Sequence, residues 1–314
     1  MGKRIIFMGT PEFAVPSLEA LIHGGYQVAA AYTQPDRKAG RGQQVVSSPV
    51  KHLALSHGLD VVQIDRFKVA GTVEKLTALA PDLIVVAAFG LLLPPEVLNI
   101  PKLGCLNVHP SLLPRHRGAS PITAAILQGD EVTGVTIMLL DAGMDTGPIL
   151  NQREVAITDE DTTGSLGTKL AQVGAQLLME TLPVWIEERV KPQPQDESGA
   201  SYSKIIKKED GEIDWRLPAK EIWWRVRAFD PWPGCYARWH DKRLKLVKVF
   251  PLHGEKSGEL GKVIALPPPA PVSVGVETGD GVLGLVRLKL EGKRELSADE
   301  FVRGQRDFIG SHLL

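Results

Sequence analysis

One stretch of the sequence constrains the fold more than any other. Residues 83–88 form a continuous apolar run, Leu-Ile-Val-Val-Ala-Ala, that ends at Phe89-Gly90. A strand that is apolar on both faces is typical of the centre of a parallel sheet with helices on each side. A second apolar strand, starting at Arg4, precedes residues at helical spacing, as in the first half of a βαβ unit. The pattern predicts an α/β domain with an open, mainly parallel, Rossmann-like sheet.

The second half of the chain has a different rhythm. At 314 residues the chain is long enough for two domains. After residue 192 the composition shifts to Pro, Gln, Asp, Glu, Ser and Gly, and then short alternating apolar segments separated by Gly and Pro follow. We predict an α/β domain over 1–189, a linker over 190–207 and a smaller, OB-like β-barrel domain over 208–314.

Composition excludes several classes of protein. A formal net charge of −1 gives no bulk attraction to polyanions, so any nucleic-acid site must be a local patch. The two cysteines, Cys105 and Cys235, lack the spacing of a disulfide framework or a zinc site. The sequence has no apolar run that would span a membrane, and its first residues lead directly into a strand rather than a signal peptide. We expect a cytoplasmic monomer.

The turn after the first strand argues against a dinucleotide site. Gly9 stands alone before Thr10 and Pro11, and no G-x-G-x-x-G pattern follows the strand. We therefore expect the predicted sheet to bind a ligand other than a dinucleotide.

The strongest candidate for a site is the stretch 103–118. Its first part, ending at Val108, reads as a buried strand, and Pro110, Pro114 and Gly118 then interrupt regular structure. Asn107 and His109 are two residues apart and so share one face of that strand. An amide that stabilises an oxyanion beside an imidazole that moves a proton suits acyl transfer to an amine. The alternative is that Asn107 caps a turn and His109 is an ordinary loop residue.

Two carboxylates follow the next predicted strand, Val135–Leu140. Asp141 and Asp145 lie in a glycine-rich turn, where aspartates often serve only the turn itself. One of them could instead orient His109. A metal site formed by both carboxylates and His109 is a third possibility.

Two segments have the charge to contact phosphate groups. The predicted exposed loop 34–48 carries Arg37, Lys38 and Arg41. Residues 216–248 carry nine basic and three acidic residues interleaved with tryptophans, as in a surface that tracks a nucleic-acid backbone. The alternatives are a solvated turn in the first case, and core tryptophans with solvent-facing lysines in the second.

Two motifs carry a resemblance to a known family. The string Asn107-Val-His109-Pro-Ser111-Leu112-Leu113-Pro114, followed by Asp141-Ala-Gly143-Met-Asp145-Thr-Gly147, resembles the signature of the formyltransferases that use 10-formyltetrahydrofolate. The resemblance implies a catalytic trio of Asn107, cationic His109 and Asp145, with no metal. It also implies a folate site, to which we assign Phe89, Gly90, Leu91, Ser111, Leu112, Leu113, Pro114 and Asp141.

The second domain narrows the resemblance. A barrel after the catalytic domain is similar to the family members that formylate the α-amino group of methionine on initiator methionyl-tRNA. That implies tRNA as the partner, and we expect it to contact Arg37, Lys38, Arg41, Lys204, Lys208, Arg225 and Lys245. The alternatives are a formyltransferase for a small amine such as an amino-sugar nucleotide, with a purely structural barrel, and a non-catalytic folate- or RNA-binding protein.

Overall fold

The chain forms two compact units in a computed structural model that describes residues 2–39, 44–252 and 258–314. The first unit contains residues 1–121, 131–157 and 166–204, and the second contains 122–130, 158–165 and 205–314. The domain boundaries at 189 and 208 stay a prediction.

The elements up to residue 204 alternate between strands and helices. The strands are β1 (Arg4–Gly9), β2 (Gln27–Thr33), β3 (Arg37–Ala39), β4 (Gln44–Val46), β5 (Val61–Gln63), β6 (Leu83–Ala87), β7 (Cys105–His109), β8 (Arg117–Gly118), β9 (Val132–Leu139), β10 (Ile149–Ala156) and β11 (Tyr202–Ser203). The helices are α1 (Val15–His23), α2 (Pro49–Ser56), α3 (Thr72–Ala78), α4 (Pro95–Leu98), α5 (Pro121–Leu127) and α6 (Thr163–Ile186).

Seven of these strands form one sheet, in the order β10-β9-β7-β6-β1-β2-β5. Five neighbouring strands, from β7 to β5, are parallel, which confirms the predicted Rossmann-like sheet. Strand β9 pairs antiparallel with β7, and β10 pairs antiparallel with β9. The chain that leaves β9 therefore emerges at the opposite end of the sheet from the chain that leaves β7.

The apolar runs occupy the places predicted for them. Every residue of β6 is buried, as expected for a central strand covered on both faces. Alternate side chains of β1, β6 and β7, among them Met8, Val86 and Cys105, enter one apolar cluster. On the other face of β7, Val108 packs close to Gly174 of α6. Because strand side chains alternate, Asn107 and His109 lie on the face opposite to α6.

One prediction of local structure was wrong. The segment 34–48 contains two short strands, β3 and β4, whose antiparallel pairing satisfies backbone groups that an irregular loop would leave to solvent. Helix α3 begins at Thr72, directly after Gly71, which adopts a left-handed φ of 81°. The predicted contact residue Arg41 lies outside the described residues.

The second unit is built on an antiparallel sheet. Its elements are α7 (Ala219–Ala228), β12 (Cys235–Trp239), β13 (Lys242–Leu252), β14 (Val263–Ala265), β15 (Val274–Glu277), β16 (Val282–Leu290), β17 (Glu295–Ser297) and α8 (Ala298–Gly304). The sheet order is β12-β13-β16-β15-β14, with β17 also paired to β16. The prediction of a small β-barrel domain is confirmed. A capping box of Ser297 and Glu300 begins α8.

The last residues of the chain join the two edges of this sheet. The Leu313 N–H donates to Gly261 O, next to β14, at 2.8 Å. Leu314 exchanges two backbone hydrogen bonds with Arg238 of β12, at 2.6 and 2.9 Å. The segment 311–314 therefore supplies the pairing that closes the curved sheet, and Leu313 is buried within it.

Within the described ranges, the helices include none with the length and apolar character needed to cross a membrane.

Candidate active site

The site is built around the end of β7. Asn107 and His109 are both buried, although they carry polar side chains, with exposed fractions of 9 % and 3 %. Among the described residues, the side-chain amide of Asn107 has no hydrogen-bond partner. The amide atoms are not among the fully buried side-chain atoms that lack a partner, so the amide keeps access to solvent and can donate to a bound ligand.

The structure brings Asp145 to His109. Oδ1 of Asp145 lies 3.7 Å from Nδ1 of His109, and the Asp145 side chain is 16 % exposed. The other carboxylate oxygen accepts a hydrogen bond from the Gly118 N–H at 2.8 Å. Asp145 adopts a left-handed φ of 54°, which few residues other than glycine occupy. Residues held in this sparsely populated backbone region cluster in functional sites.

Burial determines the charge state of His109. Burial lowers the pKa of the His109 imidazole, and the neighbouring Asp145 carboxylate and the His116 carbonyl oxygen oppose this effect only in part. The His116 carbonyl lies 3.3 Å from Nε2 of His109. The neutral imidazole is therefore favoured near pH 7, and the expectation of a cationic His109 does not hold for the free protein.

Asp141 does not join this group. Its Oδ1 accepts hydrogen bonds from the Gly143 N–H at 3.0 Å and from Thr146 Oγ1 at 2.8 Å. The antiparallel direction of β9 explains this position, because Asp141 follows β9 at the end of the sheet where β7 begins. Of these two carboxylates, that of Asp145 is the one that lies close to His109.

The residues assigned to a folate site fall into two groups. The Phe89 side chain belongs to the apolar core, 6.2 Å from the ring of Phe67, and it therefore does not line a slot for a flat heterocycle. Ser111 is fully buried, and its Oγ donates to the Arg115 carbonyl at 2.6 Å. Leu113 is also buried. Gly90 and Asp141 are exposed, and Leu91, Leu112 and Pro114 are partly exposed.

The loop at 111–114 is held by two polar residues that the sequence analysis did not identify. Oγ1 of Thr136 donates to the Ser111 carbonyl at 2.7 Å and accepts from the Leu113 N–H at 3.1 Å. Nε2 of Gln152 donates to the Leu113 carbonyl and to Thr136 Oγ1, both at 2.9 Å. Thr136 lies on β9 and Gln152 lies on β10. Their contacts with this loop depend on how the two strands pair, which the sequence alone does not show.

A second missed group surrounds Arg117, whose side chain has no exposed surface. Its guanidinium donates to Gln195 Oε1, to both carboxylate oxygens of Glu197 and to the Tyr202 hydroxyl, at 2.7–3.1 Å. These partners come from the segment that the sequence presents as a linker. In the sequence, a single Arg in a proline- and glycine-rich loop does not indicate that its side chain is buried.

The residues expected to contact tRNA have different surroundings. Arg37, Lys204 and Lys208 are exposed, whereas Arg225 and Lys245 are half-buried. Arg225 and Lys245 both act on the buried Cys235 thiol, whose pKa burial raises to about 12 and these two cations partly lower. Lys38 belongs to β3 by its backbone.

The tryptophans do not form a continuous surface. Trp215 and Trp239 are core residues of the second unit, which confirms the alternative interpretation for them. Trp223 lies under the buried guanidinium of Arg227, at 4.5 Å, and Arg227 also donates to the Asp161 carbonyl at 2.9 Å. Trp232 is 57 % exposed.

Within the three described ranges, no group of three or more His, Cys, Asp or Glu side chains is arranged to hold a metal ion.

Two family models match the chain and define its class. The model "Formyl transferase" matches residues 3–182, and "Formyl transferase, C-terminal domain" matches residues 205–306. The protein is thus an enzyme of the one-carbon group transferases.

Curated relatives identify the family within this class. A protein named methionyl-tRNA formyltransferase from Dehalococcoides mccartyi is 48 % identical over 99 % of this chain and 97 % of its own length. One of the same name from Methylococcus capsulatus is 44 % identical over 99 % and 97 %. The chain belongs to the methionyl-tRNA formyltransferase family.

Solved structures share the fold at low identity. The sugar 3N-formyl transferase WlaRD, solved in the presence of dTDP and 5-N-formyl-THF, is 20 % identical with a TM-score of 0.65, covering 94 % of this chain and 99 % of that one. HypX from Aquifex aeolicus, in complex with tetrahydrofolic acid, is 20 % identical with a TM-score of 0.62, covering 98 % of this chain. The present chain spans 48 % of the HypX chain.

Proposed function

We propose that this enzyme transfers the formyl group of 10-formyltetrahydrofolate to the α-amino group of methionine on initiator methionyl-tRNA. The product, N-formylmethionyl-tRNA, serves translation initiation. We further propose that Asn107, His109 and Asp145 carry the reaction and that the enzyme acts as a monomer in the cytoplasm. We also propose that residues 190–207 are the linker between a catalytic domain over 1–189 and a tRNA-binding barrel domain over 208–314.

One observation carries the proposal: the largely buried amide of Asn107, which has no hydrogen-bond partner among the described residues, lies two residues from the pair formed by the buried His109 imidazole and the partly buried Asp145 carboxylate. Both groups project from the same face of β7. Formyl transfer to an amine needs a donor for a developing oxyanion and a group that accepts and returns one proton. Asn107 supplies the donor, and His109 supplies the proton carrier.

The α-amine is itself the nucleophile. Its pKa is about 8, so a useful neutral fraction exists at pH 7 without a strong base. Its nitrogen forms a bond to the formyl carbon, and the carbonyl oxygen gains negative charge. The Asn107 amide N–H donates to that oxygen and stabilises the tetrahedral species.

His109 enters the reaction neutral, as its lowered pKa favours. It takes the proton that the attacking nitrogen releases and passes it to N10 of the folate as the C–N10 bond breaks. While the imidazole is protonated, the Asp145 carboxylate at 3.7 Å stabilises its positive charge. The products are tetrahydrofolate, which now carries the proton on N10, and the formylated amine.

The formyl donor is placed by the loops that follow β6 and β7. We assign folate contacts to the positions of these loops that keep some exposed surface, Gly90, Leu91, Leu112 and Pro114, and to Asp141. The buried Phe89, Ser111 and Leu113 support the loops from beneath rather than face the ligand.

The acceptor is held by cations on phosphate groups. We assign these contacts to Arg37, Lys38 and Arg41 of the hairpin segment, and to Lys204, Lys208, Arg225 and Lys245. Such contacts make binding depend strongly on salt, because each neutralised phosphate releases counterions.

The test is formyl transfer from labelled 10-formyltetrahydrofolate to methionyl-tRNA, glycinamide ribonucleotide and an amino-sugar nucleotide. We expect rapid transfer to methionyl-tRNA only. Asn107→Ala should lower kcat by roughly 10²–10³-fold, the usual effect of losing one oxyanion donor. His109→Ala should abolish transfer.

Other outcomes would revise the proposal in defined ways. Transfer to a small amine alone would keep the chemistry and remove tRNA as the acceptor. Undiminished transfer by both variants would remove the assigned site.

A further inference from the structure

The chain between residues 193 and 203, here called the strap, crosses the turn that carries Asp145. At one end Gln193 exchanges two backbone hydrogen bonds with Ile149, both at 2.8 Å. At the other end β11 pairs in parallel with β8, and Ser203 Oγ donates to the Arg117 carbonyl at 3.0 Å. The strap is thus fixed on both sides of the turn.

In its middle, Gln195 binds the Asp145 turn directly. Nε2 of Gln195 donates to the Asp145 carbonyl at 2.8 Å and to the Gly147 carbonyl at 2.7 Å. Both N–H donors of the amide are therefore used by one turn. Because Asp145 has a left-handed φ, its backbone needs external contacts to keep this conformation.

Arg117 prevents Gln195 from turning away. Nε and Nη2 of Arg117 donate to Gln195 Oε1, at 3.0 and 2.8 Å. The same guanidinium donates to both carboxylate oxygens of Glu197, at 3.0 and 2.7 Å. A buried cation leaves its partners few alternatives, since unpaired charge in the interior is costly. The orientation of the Gln195 amide, with its nitrogen toward Asp145, follows from this contact.

The residue after Arg117 completes the connection, because the Gly118 N–H donates to Oδ2 of Asp145. Both the carbonyl and the carboxylate of Asp145 are thereby tied to Arg117 and the strap. We propose that Gln195 is a positioning residue for formyl transfer, which, locked by Arg117, holds the Asp145 carboxylate against Nδ1 of His109. This inference rests on the proposed function.

The pKa of His109 reports on the position of the Asp145 carboxylate. The charged and titratable groups that act on His109 are Asp145, which raises its pKa, and His116, which lowers it while its carbonyl accepts from the ring. If Asp145 moves away, the raising contribution weakens and burial dominates. The pKa of His109 should then fall further.

The test compares Gln195→Ala and Gln195→Glu with the parent. The Glu variant keeps an oxygen acceptor for Arg117 but has no amide to donate to the Asp145 and Gly147 carbonyls. We expect both variants to lower kcat by roughly 10- to 100-fold, the effect that loss of an orienting partner has on the ligands of metal sites. KM for both substrates should change little. Gln172→Ala, an exposed glutamine on α6 in the same unit, is the matched control.

His109 is followed by NMR titration of its imidazole, assigned with His109→Ala. A pKa lower than in the parent, in both Gln195 variants and not in Gln172→Ala, supports the proposal. A parental kcat or a parental His109 titration in Gln195→Glu overturns it. Loss of folding in Gln195→Glu also overturns it, because that would assign Gln195 to stability alone.

The two proposals fail in different ways. If the parent formylates methionyl-tRNA and His109→Ala does not, normal Gln195 variants remove only the inference. If the parent formylates no methionyl-tRNA while the Gln195 variants still shift the His109 titration, the proposed function is removed and the positioning role remains.

Discussion

The side chain of Gln34 lies directly over Gly90. Its Nε2 donates to the Phe89 carbonyl at 3.1 Å, and a Cβ on Gly90 would overlap that same nitrogen. Gln34 precedes the β3–β4 hairpin, whereas Gly90 begins the loop after β6. The contact therefore joins the segment proposed to reach the tRNA to a loop proposed to bind folate.

Gly90→Ala tests this contact. Gly90 and Gly71 have the same φ of 81°, but a Cβ on Gly71 would meet no atom within 4 Å. Gly71→Ala should therefore lose only the backbone strain of about 1–2 kcal/mol. Gly90→Ala should lose more stability and also raise KM for 10-formyltetrahydrofolate, as measured by urea unfolding and steady-state kinetics. Equal effects of the two variants would contradict the assigned contact.

His109 should make stability depend on pH. Its pKa is lowered in the folded state, so below about pH 6.5 the unfolded chain binds a proton at this residue that the folded chain does not. The contribution of His109 is complete above that pH and is lost as the pH falls toward the folded pKa. The free energy of unfolding of the parent, minus that of His109→Gln, should decrease from pH 7 to pH 5. A difference that stays constant over this range would argue against a lowered pKa.

Lys204 and Lys208 should act on tRNA and not on folate. Lys204→Ala and Lys208→Ala should each raise KM for methionyl-tRNA and reduce the slope of log KM against log salt by about 1, the effect of one lost phosphate contact. KM for 10-formyltetrahydrofolate should stay the same. Lys102→Ala, at an exposed lysine of the first unit, is the control and should change neither value. Identical salt slopes for parent and variants would remove these two residues from the interface.

Leu313 should stabilise the second unit through the segment 311–314. Leu313 is 2 % exposed and Leu314 is 75 % exposed. Leu313→Ala should cost about 2–5 kcal/mol as a buried large-to-small substitution. Leu314→Ala, which leaves the backbone pairing with Arg238 intact, should cost less than about 0.5 kcal/mol. Thermal unfolding measures both, and hydrogen exchange at the Arg238 and Val263 amides should quicken only in Leu313→Ala.

Much of the fold follows from periodicity in the sequence. The buried strands β1 and β6 are mainly apolar runs, and the placement of Asn107 and His109 on one face of β7 follows from strand alternation alone. The capping box of Ser297 and Glu300 that begins α8 is likewise a signal contained in a few neighbouring residues.

What could not be predicted depends on contacts between distant segments. Strand β12 contains Trp239, whose burial is decided by Phe301 and Phe308 more than sixty residues later. The direction of β9 is set by its antiparallel pairing with β7. This direction places Asp141 at the end of the sheet where β7 begins, whereas Asp145 contacts His109. Gln195 reads as a polar linker residue until its partners at 117, 145 and 147 are known. Composition correctly indicates that such a segment is largely exposed, but not that Gln195 within it contacts the buried guanidinium of Arg117.

The strap has a consequence for the order in which the enzyme is made. Asn107, His109 and Asp145 leave the ribosome well before residues 193–203, and α6 separates the two groups by a long helix. A nascent chain that has folded its sheet therefore holds every proposed catalytic side chain, yet Arg117 lacks its partners and the Asp145 turn lacks Gln195. The active site becomes complete only after the polypeptide has passed residue 203, so that synthesis of the strap, and not of the catalytic side chains, sets when the enzyme becomes competent.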